Sequence, residues 1–215
     1  MRERWAGALT GFLAVAFTYG LVQLVWYGWA MAAGVCALAG WLFGGRVRRM
    51  RRLAEYDELT GVANRRPFER MLAREWERSL RHGYPLSVLF LDVDDFGMVN
   101  KIYGHLAGDA ALRLISGRIR QTLRGTDIVS RWGGEEFVVL LPDTSVDEAV
   151  MTAERIRSVI EQSVVRDNDR TIAVTISMGV SGYPGTAESS AELVRQAIEG
   201  QSAAKVRKNA VAVVS

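Results

Sequence analysis

The chain has 215 residues, of which 49% are hydrophobic and 24% charged, so wholesale disorder is excluded and the length suits one ordinary domain plus a modest extra segment. One cysteine, Cys36, excludes a disulfide framework, and two histidines, His82 and His105, are too few for a multi-histidine metal site. Residues 1–52 hold seven arginines and one acid, which leaves 20 basic and 23 acidic residues beyond them. The formal charge of +3 is therefore a property of the N-terminal segment, and the rest lacks the dense basic face that nucleic acid requires.

From Trp5 to Gly45 there are 41 residues without a charge. About 20 helical residues cross a hydrocarbon core of about 30 Å, so one straight span would be twice too long. The stretch predicts a hairpin of two transmembrane helices, Ala6–Val25 and Ala30–Gly44, within a segment 1–45. The break falls at Trp26-Tyr27-Gly28-Trp29, where glycine permits a turn and the aromatic rings suit the membrane–water interface. Arginines flank both ends (Arg2 and Arg4 before, Arg46 to Arg52 after), which places both on the cytoplasmic side of a lipid bilayer. A cleaved signal peptide fits less well, because the apolar run far exceeds an h-region of roughly 7–15 residues. Residues 46–56 read as a basic juxtamembrane helical linker, its arginines on anionic headgroups or its Val47, Met50 and Ala54 on a dimer seam. The expected localisation is the inner (cytoplasmic) membrane, multi-pass, with the remaining chain in the cytoplasm.

Beyond the linker, apolar periodicity alternates between helix and strand. Arg65–Arg81 is a predicted amphipathic helix with Phe68, Met71, Leu72, Trp76 and Leu80 on one face. Leu86–Leu91 is a buried strand, and Ala107–Leu123 a helix. Ile128–Trp132 and Glu136–Leu141 are strands around Gly133-Gly134, a hairpin signal. Val146–Glu161 is a helix, Thr171–Val180 a strand, Ala191–Val206 a helix and Asn209–Val214 a final strand. The class is α/β, an α+β sandwich with a central sheet flanked by helices.

Two short stretches carry chemistry. The apolar strand ends in Asp92-Val93-Asp94-Asp95, and strand alternation makes Asp92 and Asp94 project together while Asp95 turns away. Gly133-Gly134-Glu135-Glu136-Phe137 joins two acids to a glycine pair that allows a tight turn with positive φ and close backbone approach by a ligand. Either could be a solvated strand end. Together, carboxylates from a strand end and a hairpin form the arrangement that supports two-metal phosphoryl or nucleotidyl transfer.

With these stretches the chain resembles a GGDEF domain, the catalytic module of diguanylate cyclases. The signature turn stands in the GGEEF form at Gly133–Phe137. The motif Asp57-Glu-Leu-Thr-Gly-Val-Ala-Asn-Arg-Arg66 precedes it, with Phe90-Leu-Asp-Val-Asp94, Asn100, Tyr103-Gly-His105, Gly108-Asp109, Thr175–Val180 and Ala204-Lys205 at the family's spacings. The resemblance covers 57–215. It implies a palm-like nucleotidyl cyclase fold with a central mixed sheet, in which two GTP condense to cyclic di-GMP and two pyrophosphates across a homodimer. It implies Mg²⁺, two per active site (Mn²⁺ an alternative), on Asp92, the Val93 carbonyl, Glu135 and Glu136, with Asp92, Glu135 and Glu136 catalytic. Asn100 and Asp109 match guanine contacts, Gly133, Gly134 and Phe96 the nucleotide pocket, and Lys205 a phosphate-binding lysine, with Lys208 nearby. Arg124-Gly-Thr-Asp127, with Arg155 on the following helix, matches the RxxD inhibitory product site. The alternative is a catalytically inactive receptor for cyclic di-GMP.

The sequence departs from the family at the phosphate end. Gly97 and Lys101 stand where a lysine and an acid are usual, Ala197–Ser202 replaces the usual run before Ala-Lys, and Arg207-Lys208-Asn209 is one residue short, so that a triphosphate contact there passes to Arg207 or Lys208. These changes predict retained activity with weaker GTP affinity.

Overall fold

The computed structural model describes residues 26, 29, 31–41, 55–167 and 170–214. Two compact units divide the chain, Met1–Arg52 and Leu53–Ser215. In the first, residues 31–41 are helical and exposed on every side, and Trp26 and Trp29 also have helical backbone, at the position where the sequence predicts a break. The first predicted span, Ala6–Val25, and linker residues 46–54 lie outside the described residues. Among the described residues no helix is long and apolar enough to cross a membrane.

The second unit runs β1 (Ala63–Asn64), α1 (Arg65–His82), β2 (Leu86–Val93), α2 (Phe96–Tyr103), α3 (His105–Thr122), β3 (Ile128–Arg131) and β4 (Glu136–Pro142). It continues with α4 (Val146–Glu161), β5 (Val164–Asp167), β6 (Arg170–Ala173), β7 (Ile176–Tyr183), α5 (Ser190–Lys205) and β8 (Val211–Val213). Six strands form one sheet in the order β1-β3-β4-β2-β7-β8, and β5 and β6 form a separate hairpin. The central pairs are antiparallel and the two edge pairs, β1 with β3 and β7 with β8, are parallel, which makes the sheet mixed.

Strand alternation divides the core in two. Val88 and Phe90 of β2, with Val138 and Leu140 of β4, face α1 (Phe68, Leu72, Trp76) and α5 (Leu193, Val194, Ala197). Leu89, Leu91 and Val93, with Phe137, Val139 and Leu141, face α3 (Ala111, Leu112, Ile115, Ile119) and α4 (Ala149, Ala153, Ile156, Ile160). Every β2 residue but Asp92 is buried, as a central strand covered on both faces requires.

Most predicted elements are present. The Ser145–Glu148 capping box starts α4 at the predicted residue. The predicted strand Thr171–Val180 divides at Val174-Thr175 into the end of β6 and the start of β7. Helix α2 was not legible because its eight residues, between Asp95 and Gly104, are too few for a periodic pattern.

Helix α5 lies directly on β7. A Cβ at Gly179 would stand 1.9 Å from the Ala197 carbonyl oxygen and 2.2 Å from the Gln201 nitrogen. These are backbone atoms, so no side-chain rotation relieves the clash. The approach sets the position of Lys205, one turn beyond Gln201. Replacing Gly179→Ala should therefore lower stability by about 2–3 kcal/mol, the upper part of the range for overpacking. Urea denaturation with an unchanged m-value checks it.

Candidate active site

Asp92 pairs across the sheet with Glu136 on one side and Ser177 on the other. Directly opposed residues share a face, so Asp92 and Glu136 prolong the row Val88–Phe90 and Val138–Leu140 on the α1–α5 side. Glu135 joins them through its backbone, its carbonyl accepting from the Val93 amide at 3.4 Å. Burial first, then the Asp92 charge and the Glu136 charge, push the Glu135 carboxyl up, against the pull of Lys205. Burial and Asp92 likewise push Glu136 up, opposed by Arg65 and Lys205. Three acids thus crowd one strand end, and the crowding adds to burial in raising the proton affinity of Glu135 and Glu136.

Two cations face them. The Lys205 ammonium, at the end of α5, stands 2.5 Å from Asp92 Oδ1, donates to the Val93 carbonyl at 3.0 Å and reaches Asp94 Oδ1 at 4.0 Å. Asp92 Oδ1 is nonetheless buried without an aligned hydrogen bond. On the α1 side, the Arg65 guanidinium lies 4.0 Å over the Trp132 ring, with its Nε donating to Glu69 at 2.7 Å. Trp132 is wedged edge-on against Phe68 and Phe90.

Asp94 projects with Asp92, as alternation predicts, but into the protein. Its oxygens accept from Thr175 Oγ1 at 2.8 Å, Ser177 Oγ at 2.7 Å and the Asn209 amide at 2.9 Å. This carboxylate is buried and fully used, and it ties the segment after α5 to the strand end. Asp95 turns away and takes both its oxygens to Lys208, at 2.8 and 2.7 Å. The shortened segment makes its turn with Lys208 and Asn209 both in the left-handed region, φ 55° and 43°. Sequence reasoning missed the anchoring role of Asp94; the signal was the Asp-x-Asp spacing at a buried strand end.

The signature turn differs from expectation in one respect. Gly133 and Gly134 are not among the glycines of positive φ, which among the described residues are Gly61, Gly83 and Gly104. What Gly133 supplies is room: a Cβ there would lie 2.6 Å from Glu136 Oε2. The turn closes through the Trp132 amide donating to the Glu136 carbonyl at 2.8 Å. It is held from outside by Arg131, whose guanidinium donates to the Gly134 carbonyl at 3.0 and 2.5 Å and to both Asp57 oxygens at 3.0 and 3.1 Å. Burial alone would raise the Asp57 carboxyl; the Thr60 hydroxyl and amide and the Arg131 guanidinium outweigh it and hold it low. A cleft of about 480 Å³ borders the turn, its lining including Arg65, Arg66 and Arg131.

The predicted base contacts converge elsewhere. Asn100 of α2 lays its side chain against the Gly108 backbone of α3, and the buried Phe96 ring reaches the same glycine. Asp109 follows Gly108 on α3. The predicted product-site residues form an exposed group. Asp127 Oδ2 accepts from the Arg124 amide at 2.8 Å, and Arg155 of α4 donates to the Thr122 carbonyl at 3.3 Å, which brings it to the end of α3 where Arg124 begins the loop.

The family model described as diguanylate cyclase, GGDEF domain, matches residues 54–210. The chain is 39% identical over 148 residues to the cyclic di-GMP phosphodiesterase NbdA of Pseudomonas aeruginosa, covering 69% of this chain and 19% of that one. It is 38% identical over 143 residues to the diguanylate cyclase DgcP of the same organism, covering 66% of this chain and 21% of DgcP. It therefore spans about a fifth of the length of these curated relatives. Among solved structures, the coiled coil and GGDEF domain of DgcB from Caulobacter crescentus in complex with c-di-GMP superposes with a TM-score of 0.78 at 25% identity, over 86% of this chain and 98% of that one.

Two predictions follow from the charges alone. Because Glu135 and Glu136 titrate above the unfolded value, their ionised forms weigh against folding once pH rises through that value. Glu135→Gln and Glu136→Gln should each raise the melting temperature of the metal-free protein at pH 7, and the gain should fade as pH falls below the ordinary carboxylate value of the unfolded chain. Asp57 has the opposite sign: its stabilisation is present above about pH 4 and fades as pH falls through its lowered folded value. Asp57→Asn should cost about 1–3 kcal/mol at pH 7, and melts taken at falling pH should show the two proteins converging.

Proposed function

The chain belongs to the GGDEF diguanylate cyclase family, and from that premise we propose that it condenses two GTP into cyclic di-GMP, releasing two pyrophosphates, across a homodimer anchored to a membrane. The observation that carries the reading is the register Asp92 opposite Glu136, with Glu135 beside them and a buried Asp92 Oδ1 that lacks an aligned hydrogen bond.

Members of this family generally use divalent metal ions. Among the described residues no three His, Cys, Asp or Glu side chains form a ready-made cage. The donors present are nevertheless hard oxygens, a buried carboxylate oxygen whose one close cation is the displaceable Lys205 ammonium and two acids driven toward protonation, and they fit Mg²⁺ or Mn²⁺. Asp92, the Val93 carbonyl, Glu135 and Glu136 are the residues that would hold two ions. Such ions, when bound, polarise the α-phosphate and lower the pKa of the attacking 3′-hydroxyl.

The chain's own residues do the positioning. The crevice between α2 and α3 receives guanine, where Asn100 and the Asp109 carboxylate match donors and acceptors of its edge. Gly133 and Gly134 let the triphosphate approach the turn, Phe96 closes the crevice, and Lys205 offers its ammonium to the phosphates. Lys208 contributes to the phosphates only by leaving Asp95, in line with a weakened phosphate end. A homodimer sets two such sites face to face, so that each 3′-hydroxyl meets the other nucleotide's α-phosphate in line. Arg124, Asp127 and Arg155 hold product at a separate, exposed site and halt turnover, arginine forks being suited to phosphate and guanine.

The domain reading is a transmembrane hairpin over 1–45, a linker over 46–56 and the cyclase over 57–215. Its support is the uncharged run Trp5–Gly45 and the exposure of every residue of the helical stretch 31–41. The localisation proposed is the inner membrane, with the cyclase in the cytoplasm.

Purified protein supplied with GTP and Mg²⁺ or Mn²⁺ should yield cyclic di-GMP, read by chromatography. Glu135→Ala and Glu136→Ala should each lower the rate by about 10²–10³-fold, the order of loss expected when transition-state charge stabilisation is removed. Arg124→Ala should leave the initial rate intact and let turnover continue at product concentrations that stall the wild type. A wild type that binds cyclic di-GMP yet makes none would replace the enzyme with a receptor.

A further inference from the structure

The two atoms assigned above to the divalent ion are already in contact with a cation. Lys205 Nζ lies 2.5 Å from Asp92 Oδ1 and 3.0 Å from the Val93 carbonyl oxygen. An ammonium and a metal ion cannot both stand between that pair of oxygens. We infer that Lys205 is a resident counter-cation of the metal-free site, whose ammonium must withdraw before an ion can bind there. The inference rests on reading Asp92 and Val93 as metal ligands.

Three features carry it. Asp92 Oδ1 is buried and lacks an aligned hydrogen bond, so its charge depends on whichever cation stands beside it. Asp94, the other acid within reach, is satisfied by Thr175, Ser177 and the Asn209 amide, and lies at 4.0 Å; it neither needs Lys205 nor holds it. The lysine side chain is 30% exposed, so its ammonium has a route to solvent without rearrangement of the sheet. A flexible stem bearing a compact charge with three donors suits a displaceable partner, where a rigid guanidinium fork would not.

The exchange couples two binding events. A metal ion alone competes with Lys205. A triphosphate that gives the withdrawn ammonium a new partner removes the competition, so metal and nucleotide favour one another, and the coupling is reciprocal. Asp92 is left beside a cation in either state, which keeps the empty site folded and the loaded site neutralised.

Electron paramagnetic resonance of Mn²⁺ titrated into the nucleotide-free full chain tests this. Lys205→Met should bind Mn²⁺ at least about fivefold more tightly than the wild type, the lower end of ordinary coupling, and Asp92→Asn should lose the site. A second arm uses the wild type and so survives a failure of the variant to fold. Acetylation by acetic anhydride, read by mass spectrometry, should speed up at Lys205 when Mn²⁺ is added, relative to Lys101. Equal or weaker Mn²⁺ binding by folded Lys205→Met, or labelling of Lys205 that Mn²⁺ leaves unchanged, overturns the inference. Neither arm reads GTP turnover, so a chain that shows both shifts but makes no cyclic di-GMP keeps the inference and loses the proposed function.

Discussion

Everything at the active end of the domain answers one electrostatic constraint. The register of β2 against β4 sets Asp92 opposite Glu136, and the turn adds Glu135 beside Val93. Like charges opposed on a sheet are destabilising by roughly 0.2–1 kcal/mol even in the open, and partial burial enlarges the effect. The surroundings supply relief in graded form. Lys205 meets Asp92 directly, Arg65 acts on Glu136 from across Trp132, and Glu135 and Glu136 take up the remainder as raised proton affinity. A site balanced in this way is poorly settled by protein groups alone, which is the condition under which a divalent ion and a triphosphate bind with advantage.

The constraint reaches into the scaffold. Lys205 can serve the strand end only because α5 lies against β7 without an intervening side chain, and Gly179 makes that approach possible. The segment after α5 is held by Asp94 through the Asn209 amide, and by Arg157, whose guanidinium donates to Asn209 Oδ1 at 2.9 Å. At the other side of the site, Arg131 links Asp57 to the Gly134 carbonyl, so the start of the domain and the signature turn move as one piece. The links Arg157–Asn209, Arg131–Asp57 and Asp94–Asn209 join residues 52, 74 and 115 positions apart, so distant parts of the chain fix the surroundings of the carboxylate cluster.

The legible part of the fold was its periodic part. Helix α4 and strands β3 and β4 stand within one residue of their predicted limits, because apolar spacing and a capping box act over a few neighbouring residues. Helix α2 and strand β5 escaped because both are short, and β6 was read as one strand with β7. Asp92, Glu135 and Glu136 could be named from their types at a strand end and a glycine turn. Of the two reasons for naming Gly133, positive φ is not what its backbone shows, and its missing Cβ leaves space for Glu136 Oε2. Lys208 was named as a phosphate ligand, yet its ammonium is bound to Asp95, a partner 113 residues away in the chain.

What the amino-acid order determined by itself was local: the run Leu86–Leu91 that must be buried, the acids that follow it, the two-residue glycine turn, and an uncharged segment of 41 residues ahead of them. Periodicity and charge act between neighbours, so they can be read along the chain. The tertiary structure decided which of the three consecutive-strand acids faces the site, which is buried as an anchor and which binds a lysine in solvent. It also decided that the ammonium of Lys205 stands beside Asp92 and the Val93 carbonyl. Those outcomes depend on sheet register and on how closely a helix can approach a strand, quantities set by packing between distant residues, for which no local pattern exists.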